Sequence, residues 1–336
     1  MITNDLIKSI FLNPIKCGAD KLFIVSGYAT PNMASWLFKY TSNMHPIDVK
    51  LIFGRAMEGI SMPVHESFVE LSRNPFSKSY RSFSCQYIYQ NTPINANLYL
   101  WFKGAQPYAA FAGSANFIQK AFSKNQREIM VECDPDKAAD YFNEIESDSI
   151  YCYSSEVEEY IPIFSVSNML DKLNNPEVLE DNTVTLSLLN SRTNETHTTA
   201  GINWGHRMNF YRKKDGSISH RLRNPNEAYI PLPRSVAQSG FFPLNKQHFT
   251  VVTDDRKQLT LRVEQEGNKA ITTPKSNALL GEYFRNRLGL PNGAFVRKAD
   301  LERYGRTDVT FIKIDDEQYF MDFAPGEKIL GDQNGG

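Results

Sequence analysis

Three stretches of this 336-residue chain carry side chains suited to handling a phosphate. The first is Gly113-Ser114-Ala115-Asn116. Glycine lets backbone N–H groups approach an oxyanion, and the serine hydroxyl and asparagine amide add further donors at the mouth of a helix expected over SANFIQKAF. A plain helix-capping turn would use the same residues. The second stretch is GINWGHRMNFYRKKDGSISHRLRNPNEAYIPLP (201–233), where Arg207, Arg212, Lys213, Lys214, Arg221 and Arg223 set six cations in 17 residues against the single acid Asp215. Asn203, Trp204, Phe210 and Tyr211 are interleaved with them, a composition that fits phosphates and base edges, or a solvated loop of like charge. A third cluster, GNKAITTPKSNALLGEYFRNRLG (267–289), places Lys269, Thr272, Thr273, Lys275, Ser276 and Asn277 ahead of Arg285 and Arg287. Such groups suit phosphate contact plus direct readout, in which Arg or Lys grips guanine and Asn grips adenine. Ser276 is equally suited to capping the helix that follows.

The elements that must position these groups change character near the middle of the chain. KLFIVSGYA (21–29) and VKLIFG (49–54) are short apolar runs ending in glycine, each followed by helix-like spacing in MASWLFKY and HESFVELS. That alternation predicts an α/β domain with a mostly parallel sheet and helices on both faces. CQYIYQ (85–90), ANLYLWF (96–102), AAFAGSANF (109–117) and REIMVEC (127–133) add strands in quick succession. A polar stretch near 165–180 marks the boundary, giving domains 1–165 and 181–330 with a linker at 166–180. Beyond it TVTLSLLNS, AYIPLP, HFTVVTDD, QLTLRVEQ, AFVRKADL, VTFIKID and QYFMDF alternate with period two, as in a mainly-β barrel or sandwich. One helix interrupts them, NALLGEYFRNRLG (277–289), ended by Gly289.

Residues 94–122 resemble the signature of the phospholipase D superfamily, in which His-x-Lys opens a strand and a Gly-Ser-x-Asn turn follows. Ser114 and Asn116 match that turn, and Glu128 matches a carboxylate that orients the catalytic imidazole in the family. Aligning LYLW puts the family's His at Asn95 and its Lys at Asn97. The family's chemistry needs an imidazole nitrogen to attack phosphorus and an ammonium to hold the phosphoryl oxygens. An amide does neither, so the resemblance implies a pocket that binds phosphate without cleaving it. The site has either decayed, or the chain is an inactivated copy of an active parent. His45 and His65 are the only other histidines in the first half, and neither has a spacing that relates it to the motif.

INWG(x)R, RNPNEAYIPLP, FFP, FTVVTDD, N(x)LLG(x)YFR(x)RLG, DLxxYGR and YFMDF extend the resemblance over nearly the whole chain, to the NgoFVII/NgoAVII group of restriction endonucleases. The resemblance implies a phospholipase D-like nuclease domain followed by a B3-like DNA-binding pseudobarrel. Its arms, here 201–223 and 267–277, grip the major groove, with Asn203, Trp204, Arg207, Arg212, Lys213, Arg221, Arg223, Lys269, Thr272, Lys275, Ser276 and Asn277 as candidate DNA contacts. It implies metal-independent cleavage of duplex DNA at a short G/C-rich site, without a cofactor. Since one motif copy is present and the family's site is built from two, it also implies a homodimer through 1–165. Some relatives need a separate helicase-like ATPase.

Composition sets the outer limits. Lys plus Arg (37) nearly cancel Asp plus Glu (38), so a nucleic-acid surface must be local. The N-terminus lacks a signal-peptide pattern and no run of 18 apolar residues occurs, which predicts a soluble intracellular protein with no membrane partner, and the resemblance implies that the compartment is the bacterial cytoplasm. A lipid-cleaving enzyme would want apolar membrane-facing loops, and the basic, hydroxyl-rich arms are the wrong chemistry for that. Cys17, Cys85, Cys133 and Cys152 are expected to be reduced thiols, with no metal-ligand spacing among them.

Overall fold

A computed structural model describes residues 1–41, 43–73, 80–90, 92–123, 126–165, 182–212, 218–221 and 223–326, with side chains at all of these except 39, 80, 209–212 and 218–221. The chain separates into two compact units, Met1–Asp171 and Lys172–Gly336. The linker expected at 166–180 lies outside the described residues.

The N-terminal unit contains β1 (Lys21–Ser26), β2 (Ile47–Phe53), β3 (Ile60–Ser61), β4 (Tyr80–Ile88), β5 (Asn97–Lys103), β6 (Gln106–Gly113), β7 (Met130–Cys133), β8 (Ser149–Tyr151) and β9 (Ile163–Phe164). Seven of them form one sheet in the order β7-β6-β5-β1-β2-β4-β8, and β3 pairs with β9 separately. The sheet is mixed where a mostly parallel one was expected: β1–β2 and β2–β4 are parallel, whereas β1–β5, β5–β6, β6–β7 and β4–β8 are antiparallel. The cause is loop length. The helices Pro31–Thr41 and Met62–Arg73 carry the chain over between the parallel strands, while β5 returns into β6 through a tight turn at Gly104 (φ +60°). Helices cover both faces. Ile10, Phe11, Met33, Leu37, Phe68, Tyr99 and Trp101 share one core, and Val25, Ile52, Leu98, Leu100 and Ala110 meet Ala138, Phe142 and Ile145 of the helix Pro135–Glu146 on the other side.

The C-terminal unit contains β10 (Thr183–Ser187), β11 (Asn209–Arg212), β12 (Ile218–Arg221), β13 (Ile230–Pro231), β14 (His248–Thr253), β15 (Gln258–Glu264), β16 (Ala270–Thr272), β17 (Asp308–Lys313) and β18 (Gln318–Asp322). Its main sheet runs β10-β17-β18-β14-β15-β16-β13, and its end strands β10 and β13 approach each other, nearly closing a barrel. Phe242, Phe249, Phe311 and Tyr319 pack in its interior. The helix Ala278–Arg287 forms as expected. AFVRKADL, expected as a strand, instead runs into a second helix, Lys298–Tyr304. Asp300 accepts the Arg297 N–H (2.8 Å), and Gly305 (φ +93°) ends the turn, so capping chemistry outweighs the alternation. No helix among the described residues is long and apolar enough to cross a membrane.

Candidate phosphate pocket and nucleic-acid interface

Asn97 opens β5 directly opposite Gly113, which closes β6, and beside the end of β1, where Val25 pairs with Leu98. Its side chain is 5% exposed. Oδ1 accepts from the Gly27 N–H (3.3 Å) and lies 2.9 Å from Ser26 Oγ; Nδ2 donates to the carbonyls of Gly113 (3.3 Å) and Ser114 (3.1 Å). Ser26 Oγ, with one proton to give, also lies 2.7 Å from the Tyr28 carbonyl and accepts from Phe117 N–H (2.8 Å). Asn97 therefore joins the ends of three strands.

Asn95 sits just ahead, positioned by Ile94, whose N–H donates to the Gly54 carbonyl (3.0 Å). It is exposed. A Cβ at Gly27 would lie 3.1 Å from Asn95 Oδ1 and 3.3 Å from Asn116 Oδ1, so both amide oxygens converge on this glycine, and Asn116 Oδ1 accepts the Tyr28 N–H (2.9 Å). Ser114 Oγ donates to one oxygen of Glu128 and accepts Ile129 N–H (3.0 Å); Gln126 donates to the other Glu128 oxygen. Asn95, Asn97 and Asn116 thus gather around Gly27, and Ser114, with Glu128 bound to it, is joined to them through Asn97. Glycine is also needed at Gly113, where a Cβ would lie 2.1 Å from the Ile129 carbonyl.

The helix expected over SANFIQKAF does not form. The backbone there is tied to other segments, with Tyr99 OH donating to the Ala115 carbonyl (2.8 Å), Phe117 N–H donating to Ser26 Oγ, and Phe117 bridging to Ala29. The donors of this turn are consequently side-chain amides and isolated N–H groups rather than the N-terminus of a helix over SANFIQKAF. Neither histidine of this unit joins them. His45 binds the Ala19 carbonyl (2.9 Å) at the opposite end of β1, and His65 is buried against Tyr87 on β4, where burial lowers its pKa. Ser26, Gly27, Tyr28 and Gln126 are functional neighbours that the sequence motif alone does not pick out. The one signal for them is that the apolar run of β1 ends in Ser-Gly.

In the C-terminal unit, exposed Arg207 and Met208 lead into the hairpin β11–β12, in which Asn209 pairs with Arg221 and Arg212 with Ile218. Arg212 and Arg221 are placed by backbone only, and Lys213 lies outside the described residues. The hairpin's foot is built tightly. Asn203, fully buried, donates to the carbonyls of His197 (2.9 Å) and Val296 (2.8 Å) and accepts Val296 N–H (2.9 Å). Arg223 lies over the Trp204 ring (4.0 Å) and pairs with Glu227, and Gly205 N–H donates to the Glu227 carbonyl (2.7 Å).

In the second arm Lys269, Lys275 and Ser276 are exposed, while Thr272 is buried with its hydroxyl donating to Glu264 (3.3 Å). Ser276 Oγ accepts Ala278 N–H (3.3 Å) from one residue before the N-cap, Asn277, whose own side chain makes no capping bond. The Asn277 carbonyl accepts Ala228 N–H (3.1 Å), which ties this segment to the foot of the first arm. Arg207, Lys269, Lys275 and Ser276 thus face solvent, whereas Asn203, Trp204, Arg223 and Thr272 are spent on holding the arms in place.

Residues 4–159 match the NgoFVII restriction endonuclease N-terminal PLD (phospholipase D) domain, and residues 178–315 match the NgoFVII C-terminal B3-like DNA-binding domain. The chain belongs to the NgoFVII restriction endonuclease family. Its two units are therefore a phospholipase D-like nuclease domain and a B3-like DNA-binding domain. Among solved structures, NucT from Helicobacter pylori is similar at 14% identity, with a TM-score of 0.29 over 45% of this chain and 96% of that one. Polyphosphate kinase from Porphyromonas gingivalis is similar at 12% identity, with a TM-score of 0.27 over 42% of this chain and 20% of that one. At those scores neither carries an argument. No curated protein sequence matches the chain.

Proposed function

We propose that this NgoFVII-family chain reads a short duplex site, G/C-rich by kinship, with the B3-like arms, and holds a phosphodiester in the Gly27 pocket without cutting it. The observation that carries this is the head of β5, where Asn95 and Asn97 occupy the positions of the phospholipase D histidine and lysine. The lone pair of an amide nitrogen is delocalised into its carbonyl, so Asn95 cannot form the phosphoenzyme bond, and Asn97 brings no charge to the developing oxyanion. Residues 181–330 read DNA, residues 1–165 carry the pocket and pair with a second copy, and 166–180 connect them.

The dimer rests on the single motif copy and on Ile129 and Val131, each 44% exposed beside the Ser114–Glu128 pair. Light scattering at micromolar concentration is expected to give the mass of two chains; the mass of one contradicts the composite site. A separate helicase-like ATPase and a place in the bacterial cytoplasm follow from kinship alone.

The test of the lineage is Asn95→His with Asn97→Lys. Cleavage of cognate duplex in the presence of EDTA is expected to rise from background by several orders of magnitude. A second reading, a DNA-binding protein that keeps its nuclease-like half only to dimerise, is favoured by how fully Asn97 is built into the fold. A folded double variant that leaves DNA intact selects it.

A further inference from the structure

The five residues expected at this site include no cation, yet a phosphodiester brought there is an anion. Arg55 brings a positive charge to the rim. Its backbone N–H donates to the Gly27 carbonyl (3.2 Å), so its side chain starts one hydrogen bond from the floor of the pocket. The guanidinium is steered from two sides: Nη2 donates to Glu58, and its carbon lies 5.3 Å from the centre of the Tyr28 ring. Tyr28 in turn donates its hydroxyl to Glu58 (2.9 Å) and its backbone N–H to Asn116 (2.9 Å). Asn116, Tyr28, Glu58 and Arg55 therefore form one connected wall from the Gly-Ser-x-Asn turn to the rim.

Glu58 engages a single nitrogen of Arg55, and the buried Nε–H has no hydrogen-bond partner among the described residues. Buried donors are rarely left without an acceptor, and the planar fork of a guanidinium matches the paired oxygens of a phosphate. Lysine at position 97 is not needed for that task. Moreover, a lysine there has no acceptor atom and could not take the Gly27 N–H that Asn97 Oδ1 takes.

We propose that Arg55 is the residue that grips the phosphodiester in this pocket, with Glu58 and Tyr28 as its positioning residues. The proposal rests on the reading that duplex DNA reaches the Gly27 pocket, and it deepens that reading by saying where the missing charge comes from. Its consequence is that restoring the nucleophile alone should suffice.

The experiment uses the full chain, plasmid and cognate duplex DNA in EDTA, and a binding titration over a range of salt. Asn95→His alone is expected to cut. Adding Arg55→Ala should reduce that cutting by about 100-fold or more, and Arg55→Lys should recover part of it. Cutting by Asn95→His/Asn97→Lys but not by Asn95→His overturns the proposal, as does an Asn95→His/Arg55→Ala chain that cuts as fast as Asn95→His. If no histidine variant cuts, the nuclease lineage fails instead, and binding by the unreverted chain decides. Arg55→Ala, with thermal unfolding like its parent, should lower the slope of log affinity against log salt by about one. An unchanged slope removes Arg55.

Discussion

The Gly27 pocket and the B3-like arms, the two regions proposed to meet phosphates, are built on opposite plans. In the pocket, polar side chains satisfy one another and the backbone. Asn97 spans three strand ends, Asn116 holds Tyr28, and Ser114 and Gln126 hold Glu128. In the arms, Arg207, Lys269 and Lys275 are left in solvent on feet made rigid by Asn203, Trp204 and Thr272. The difference teaches that residue type does not assign a role in either region. Asn95 and Asn97 are two positions apart, yet one is exposed and the other is a buried staple, and Asn203 among the DNA-facing candidates belongs with Asn97.

The comparison breaks first, and most visibly, in stability. Asn97→Ala and Asn203→Ala each remove an amide and leave buried backbone groups unpaired, which should cost about 3 kcal/mol apiece. For units of this size that is roughly 6–12 °C in the unfolding temperature of the affected unit, read by calorimetry. Asn95→Ala should stay within about 0.5 kcal/mol of the parent. A shift at Asn95 as large as that at Asn97 would erase the distinction between the two.

The next effect is on binding. Arg207→Ala and Lys275→Ala should leave unfolding unchanged and weaken binding to cognate duplex. Where the contact is to a base, preference at one position should relax by about 1–3 kcal/mol, as read across a panel of duplexes. Equal affinity for every duplex would move these residues from reading to mere charge. Lost stability would place them with Asn203.

Much of this was legible in the sequence, and the parts that were not have physical causes. Period-two alternation gave the barrel strands, and the apolar runs ending in glycine gave β1 and β2. The GSAN turn and the basic segment pointed to the two regions because glycine beside hydroxyl and amide, and cations without acids, are local signals. Pairing direction was not local. β5 pairs antiparallel with β1 across a long stretch of chain that includes two other strands of the same sheet, which no window of sequence reports. SANFIQKAF has helical spacing but is captured by Ser26 and Tyr99, 91 and 16 residues away from their partners in it. AFVRKADL yielded to the Arg297–Asp300 cap. Arg55 carries no motif at all, and only the fold brings its backbone to Gly27.

The smallest expected effect sharpens the same contrast through pH. The pocket is knit largely by neutral amides and hydroxyls, whereas the C-terminal unit is clasped by charge: Arg287, at the end of the helix Ala278–Arg287, pairs with Asp254 (2.5 Å) and Asp255 (3.1 Å) in the turn between β14 and β15. Burial on its own would raise the Asp255 pKa. The Thr253 hydroxyl and the charges of Arg287 and Lys257 outweigh it and hold the carboxyl below its ordinary value of 3.8. A folded-state pKa below the unfolded one means stability that is fully present above 3.8 and is lost as the pH falls from there through the folded value. With about a quarter of the Asp255 side chain exposed, solvent screening keeps this contribution under about 1 kcal/mol. Asp255→Asn should therefore lower the unfolding temperature of the C-terminal unit by a few degrees at pH 7 and lose most of that difference once the parent's carboxyl is protonated. The N-terminal unit should be untouched by the substitution at either pH. A deficit that persists undiminished in acid would mean that Asp255 acts through packing or hydrogen bonds rather than charge, and this clasp would then be built as the pocket is.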